Sequence, residues 1–169
     1  MELSERTRTA IEKALGTYPQ RRTAVLDAMR LAQNEKGYLG KETLYEVADL
    51  MDLDPNALFT LVTFYDLLHD KPIGRYDIMV CKNIACYLRG CDELIEHVSK
   101  QLGVGLGETT PDGAFTLRTM ECLASCDTAP VMLINETYYE NLTIERVDRI
   151  LDELSAKHRG ANSSQPAAG

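Results

Sequence analysis

Four cysteines limit what this chain can become more than any other feature. Cys81 and Cys86 form a C-x4-C pair, Cys122 and Cys126 a C-x3-C pair, and 35 residues separate the pairs. Thiolates gathered in this way are ligands for a soft metal centre. Four of them from two loops suit a [2Fe–2S] cluster or a single zinc ion. Structural zinc prefers tighter C-x2-C knuckles, although spacings up to x4 occur. Loops of four and three residues suit the wider, two-iron object, so the spacing favours the cluster and leaves zinc open. A Rieske centre needs two histidine ligands. His69, His97 and His158 sit singly, away from both cysteine pairs, and read as surface residues. A dithiol redox site would show C-x2-C, which this chain lacks.

The fifth cysteine, Cys91, falls in step with Leu94, Ile95, Val98 and Leu102 on one helical stripe. It reads as a buried, inert thiol rather than a ligand. An odd cysteine count without a secretory signal argues against a disulfide framework. The formal charge of −8 argues against nucleic acid and against an anionic membrane surface. No apolar run has the length of a membrane span, and the start, MELSERTRTAIEKAL, resembles neither a signal core nor a transit peptide. A cytosolic or peripheral protein is expected.

Two ferric ions, two sulfides and four thiolates sum to about −2, and one added electron makes that about −3. Three features would offset this charge. Backbone N–H groups of Lys82-Asn83-Ile84-Ala85 can turn toward sulfur. The helix after Cys86 points its positive end at the site. Lys82, Arg89 and Arg118 lie near in sequence, though any one of them also reads as a solvated cation. Gly103-x-Gly105-x-Gly107 follows a helix rather than a strand and reads as a connecting loop, not a nucleotide site.

Helical periodicity fills roughly the first 70 residues. Val25, Ala28, Met29 and Ala32 make one stripe that stops at Gly37, and Leu44, Val47, Ala48 and Met51 make a second. Asp54-Pro55 caps another helix carrying Leu58, Leu61, Val62 and Tyr65. Lys71-Pro72-Ile73-Gly74 ends the helical part. Strands follow at 75–80 and near 114–119, each leading into a cysteine pair, with Cys86 in a short loop and a helix at about 90–102. Residues 131–135 form another strand, and a turn at Glu136-Thr137 returns Tyr138-Tyr139 beside it. A last helix from about Thr143 turns Ile144, Val147, Leu151 and Leu154 inward. The expected fold class is α+β: an N-terminal helical bundle at 1–73, a thioredoxin-like α/β domain at 74–156, and a disordered tail at 157–169.

The chain from Val80 through Cys86 to Leu88-Arg89-Gly90 resembles the first cluster motif of the thioredoxin-like [2Fe–2S] ferredoxins. Glu121 to Pro130 resembles the second. Tyr138-Tyr139-Glu140-Asn141-Leu142-Thr143 is similar to the segment that follows in the small iron–sulfur subunits of the NADH module of respiratory complex I, the bacterial NADH-quinone oxidoreductases. Tyr18-Pro19, Leu31 to Glu35, Val47-Ala48 and Thr63-Phe64-Tyr65 agree as well, so the likeness covers roughly residues 15–155. Cys91 and Ser125 depart from the usual pattern without touching the four ligand positions.

The resemblance implies an electron-transfer subunit with a thioredoxin-like [2Fe–2S] ferredoxin domain and no substrate pocket of its own. Cys81 and Cys86 would bind one iron, Cys122 and Cys126 the other. A larger partner subunit would bind FMN and NADH, with the N-terminal helices as the docking surface. The whole would lie in the cytoplasm, peripheral to the inner membrane through its partners. Related subunits serve NAD-linked hydrogenases and formate dehydrogenases. A free-standing homodimeric ferredoxin and a zinc-stabilised interaction module are the other readings.

Overall fold

The computed structural model describes residues 2–162. They divide between Pro72 and Ile73 into two compact units, each with a hydrophobic core of its own.

The first unit is helical: α1 (Glu5–Leu15), α2 (Val25–Lys36), α3 (Lys41–Met51) and α4 (Pro55–Phe64). Three of the boundaries have a clear local cause. Ser4 accepts from the Thr7 N–H at the start of α1, and Asp54 accepts from the Asn56 N–H ahead of Pro55 in α4. Gly37 ends α2 at φ 82°, where a side chain would be strained. The stripes meet as expected, with Ala28, Met29, Ala32, Leu44, Val47, Ala48, Met51 and Leu58 all buried. Tyr65 departs from its expected stripe. It lies past the end of α4 in extended backbone, exposed beside Phe64. The chain ahead of α1 is fastened by two carboxylates: Glu46 accepts from the Leu3 N–H and pairs with Arg8, and Glu35 accepts from the Ser4 N–H and hydroxyl. Bonds from Lys36, Thr7 and Ser4 hold the Glu35 carboxyl down at about 2.

The second unit is a four-stranded sheet in the order β2-β1-β3-β4, formed by β1 (Tyr76–Cys81), β2 (Phe115–Met120), β3 (Met132–Ile134) and β4 (Thr137–Tyr139). β1 and β2 run parallel, with β3 antiparallel to β1 and β4 antiparallel to β3. A parallel pair needs a crossover. It is made by α5 (Ile84–Leu88) and α6 (Cys91–Leu102). Alternation along β1 sorts the faces. Ile78 and Val80 pack with Leu94, Val98, Val147, Leu151 and Leu154, which belong to α6 and to α7 (Ile144–Asn162). Met79 and Cys81 point to the other face and pack with Cys86, Cys91, Leu123, Val131 and Leu133. Gly74 passes so close to β2 that a Cβ would stand 2.8 Å from the Phe115 backbone.

Several details depart from the sequence reading. Cys86 lies on the five-residue α5 rather than in a loop. The β3–β4 turn is Asn135-Glu136, with Asn135 at φ 55° and Thr137 already paired to Ile134. α7 continues to Asn162, so residues 157–162 are helical where a disordered tail was expected. The remainder of that expected tail lies outside the described residues. His158 is buried on α7 rather than at the surface, and His97 pairs with Asp148 at 2.6 Å. Among the described residues no helix is long and apolar enough to cross a membrane.

Candidate metal centre

Parallel pairing explains why two distant cysteine pairs meet. Parallel strands end at the same end of a sheet, and the register sets Cys81 level with Met120, two residues before Cys122. The Lys82 N–H donates to the Met120 carbonyl (3.0 Å), and Lys82 Nζ bridges to Glu121 Oε1 (2.8 Å). The residue after Cys81 is thereby tied to the residue before Cys122. Besides desolvation, the Cys81 sulfur raises both the Cys86 and the Cys126 thiols, which puts the two pairs within electrostatic reach of each other.

The two pairs have different surroundings. Cys81 and Cys86 are 2% and 1% exposed. Burial and the neighbouring Cys81 push the Cys86 thiol up to about 11, and the Val131 backbone N–H pulls it the other way. Cys122 and Cys126 are exposed. Desolvation and then the Cys122 sulfur raise the Cys126 thiol. The Ala124 N–H donates to Cys122 Sγ at 3.3 Å, the kind of backbone donor that offsets thiolate charge. Ala124 reaches that position in left-handed backbone, φ 56°, which costs a non-glycine residue about 1 kcal/mol. The next turn, Cys126–Thr128, is 3-10 and leads through a cis Ala129-Pro130 bond into β3.

Of the expected cations only Lys82 stands between the pairs. Arg118 is held by the buried Asp77, with Nη2–Oδ2 at 2.5 Å. Arg89 is exposed. α6 opens at Cys91, which is fully buried in the same cluster as Cys81 and Cys86, so the positive end of that helix lies on their side. Burial raises the Cys91 thiol, as expected of an inert one. The Gly103–Gly107 segment is a connecting loop.

Sequence reasoning missed the bonds that hold the second pair. Glu140 Oε1 accepts from Ser125 Oγ (2.6 Å) and Thr128 Oγ1 (2.9 Å), the hydroxyls on either side of Cys126. Two hydroxyls three residues apart were the available signal, but nothing local points to an acceptor twelve residues further on.

The family model for the thioredoxin-like [2Fe-2S] ferredoxins matches residues 11–155. The chain belongs to this family. It is a [2Fe–2S] ferredoxin-type protein, and the donor chemistry of the site agrees: four free thiols in two pairs, on one end of a mixed sheet.

An NADH-quinone oxidoreductase subunit of Rhizobium meliloti is 42% identical over 95% of this chain and 96% of its own length. NADH-quinone oxidoreductase subunit 2 of Thermus thermophilus is 37% identical over 88% of this chain and 84% of its own. Among solved structures, an air-oxidized NAD+-reducing [NiFe]-hydrogenase superposes on 76% of this chain with a TM-score of 0.67 at 22% identity. This ferredoxin spans only 23% of that hydrogenase chain, and the likeness is one of fold.

Proposed function

We propose that this ferredoxin is an electron-transfer subunit of an NADH-quinone oxidoreductase. In this reading Cys81 and Cys86 hold one iron of its [2Fe–2S] cluster, and Cys122 and Cys126 hold the other. The observation that carries the reading is the juxtaposition of the two pairs at one end of β1 and β2, joined by the Lys82–Glu121 bridge. The relatives, named as NADH-quinone oxidoreductase subunits and matched over most of their length, support the same role.

When bound, such a cluster supplies one-electron redox chemistry. The chain's own residues serve it in three ways. Met79, Cys91, Val131 and Leu133 shield the Cys81 and Cys86 sulfurs from water. The Ala124 and Val131 N–H groups supply partial positive charge to sulfur. Hydrogen bonds from the Ser125 and Thr128 hydroxyls to Glu140 hold the second pair's loop in shape.

The partner is a larger subunit that binds FMN and NADH and performs the hydride transfer, so this chain needs no substrate site of its own. Support comes from α5, which buries Cys86 but leaves Ile84 and Leu88 65% and 76% exposed, with Tyr87 between them. Aromatic and apolar side chains of this kind form the centres of protein interfaces. Phe64 and Leu67 give the helical unit an apolar surface too. The chain would then lie in the cytoplasm, peripheral to the membrane through its partners.

Anaerobic affinity purification from native cells tests the reading. The expected result is a large flavoprotein that stays bound, with NADH bleaching the visible colour of the complex but not of the isolated chain. A chain that purifies alone, and is reduced and reoxidised as a diffusible carrier, would overturn it. Retention with a hydrogenase or formate dehydrogenase chain would move the role to that enzyme.

A further inference from the structure

The segment from Tyr138 to Leu142 is bonded along the second cysteine loop at nearly every step. Tyr138 Oη donates to the Leu123 carbonyl (3.2 Å). Glu140 Oε1 takes both the Ser125 and Thr128 hydroxyls, which are themselves 2.7 Å apart. The Asn141 N–H donates to the Thr128 carbonyl (2.7 Å) and the Leu142 N–H to the Pro130 carbonyl (3.1 Å). From α7, Arg146 Nη1 donates to the Glu140 carbonyl (2.5 Å) and steadies the segment from behind.

The loop needs such help. Its cysteines are exposed and lack the apolar packing that surrounds Cys81 and Cys86, and Ala124 stands in left-handed backbone. Glu140 is the side chain that grips both flanks of Cys126. The Ser125 and Thr128 hydroxyls hold its carboxyl below the usual carboxylate range, so it is ionised at neutral pH and a strong acceptor.

We propose that Glu140 is a positioning residue for electron transfer, holding the Cys126 sulfur in one place, through Ser125 and Thr128, while the charge of the site changes. The proposal rests on the assignment of Cys126 as an iron ligand. A sulfur that stays put on reduction keeps the structural rearrangement small and keeps the iron in place. Partners that orient metal ligands act in this way elsewhere, and their loss weakens metal binding by about 10- to 100-fold.

The test uses the full chain carrying its cluster, as wild type, Glu140→Ala and Glu140→Gln. Each is reduced with dithionite, its EPR line shape is recorded, and iron release is timed by the absorbance of the complex formed with a ferrous chelator. Glu140→Ala is expected to lose its cluster about 10-fold faster, with a broadened signal. Glu140→Gln keeps an oxygen that accepts from both hydroxyls and is expected to restore most of the retention and a narrow line. The double variant Ser125→Ala/Thr128→Val, which keeps the carboxylate, must reproduce the faster loss, and it serves if Glu140→Ala fails to fold. A Glu140→Ala protein with unchanged line shape and retention would overturn the clamp alone. A wild-type chain that holds no two-iron cluster would overturn the ligand assignment and the clamp together.

Discussion

The two cysteine pairs sit at the same end of one sheet but are held by different physics. Cys81 ends a strand and Cys86 sits on a short helix, and both are sealed among Met79, Cys91, Val131 and Leu133. Cys122 and Cys126 stand exposed on a loop whose shape comes from hydrogen bonds to Tyr138, Glu140 and Asn141. Packing is non-directional and resists water, whereas a hydrogen-bonded loop is directional and open to it. One half of the site is therefore built as core and the other as surface. The exposed half is the one a chelator or oxygen reaches first.

The largest expected effects come from the four proposed ligands. Serine at any of the four positions is expected to abolish the normal two-iron content, measured as iron and sulfide per chain. The cluster-free proteins then separate the halves. Cys86→Ser leaves a hydroxyl in an apolar pocket and is expected to lower unfolding stability by about 1–3 kcal/mol. Cys122→Ser, in water already, should leave it unchanged. Equal losses for the two would break the contrast.

Leu133→Ala probes the packed half without touching a ligand. It opens a cavity beside Cys81 and Cys86 and is expected to cost about 2–5 kcal/mol in denaturant unfolding. A loss below 1 kcal/mol, on the order of a surface substitution, would mean that this cluster is not tightly packed.

Acid probes the hydrogen-bonded half. The Glu140 carboxyl is lowered in the fold from its ordinary 4.5 by Ser125 and Thr128, with Arg146 adding to the effect. A depressed carboxylate contributes stability that is full above its unfolded value and is lost as pH falls through its folded value. The advantage of the wild type over Glu140→Gln, read from thermal unfolding of the cluster-free chains, should therefore hold above 4.5 and fade below it. An advantage that grew as pH fell would contradict the latch. The smallest effect is expected at Ala124. Glycine there relieves the left-handed backbone but adds freedom to the unfolded chain, so Ala124→Gly should stabilise by no more than about 1 kcal/mol.

The same contrast explains what the sequence made legible. Helix α4 carries an N-cap, α2 ends on a glycine, and α2, α3 and α4 all carry apolar stripes, each of them a local signal. Both cysteine pairs could be read as pairs, and the strands ahead of them as strands. α5 could not, because five residues are too few to show a helical period. His158 was within reach, since it continues the stripe of Val147, Leu151 and Leu154 on α7. Asn135 also carried its own signal, as a residue that tolerates left-handed backbone at a tight turn. Glu140 lies in a segment that resembles the family, but that likeness gave it no role. Its importance lies in hydrogen bonds that only the folded hairpin brings together, and periodicity is blind to those.

The central claim is a two-iron cluster on four cysteines in two unlike settings. Iron, zinc and acid-labile sulfide should be counted on anaerobically purified wild-type chain, with visible spectra before and after dithionite. The account expects two irons and two sulfides per chain, with colour that bleaches on reduction, as the [2Fe-2S] family to which the chain belongs requires. One zinc, no sulfide and no colour in protein never exposed to air would contradict it.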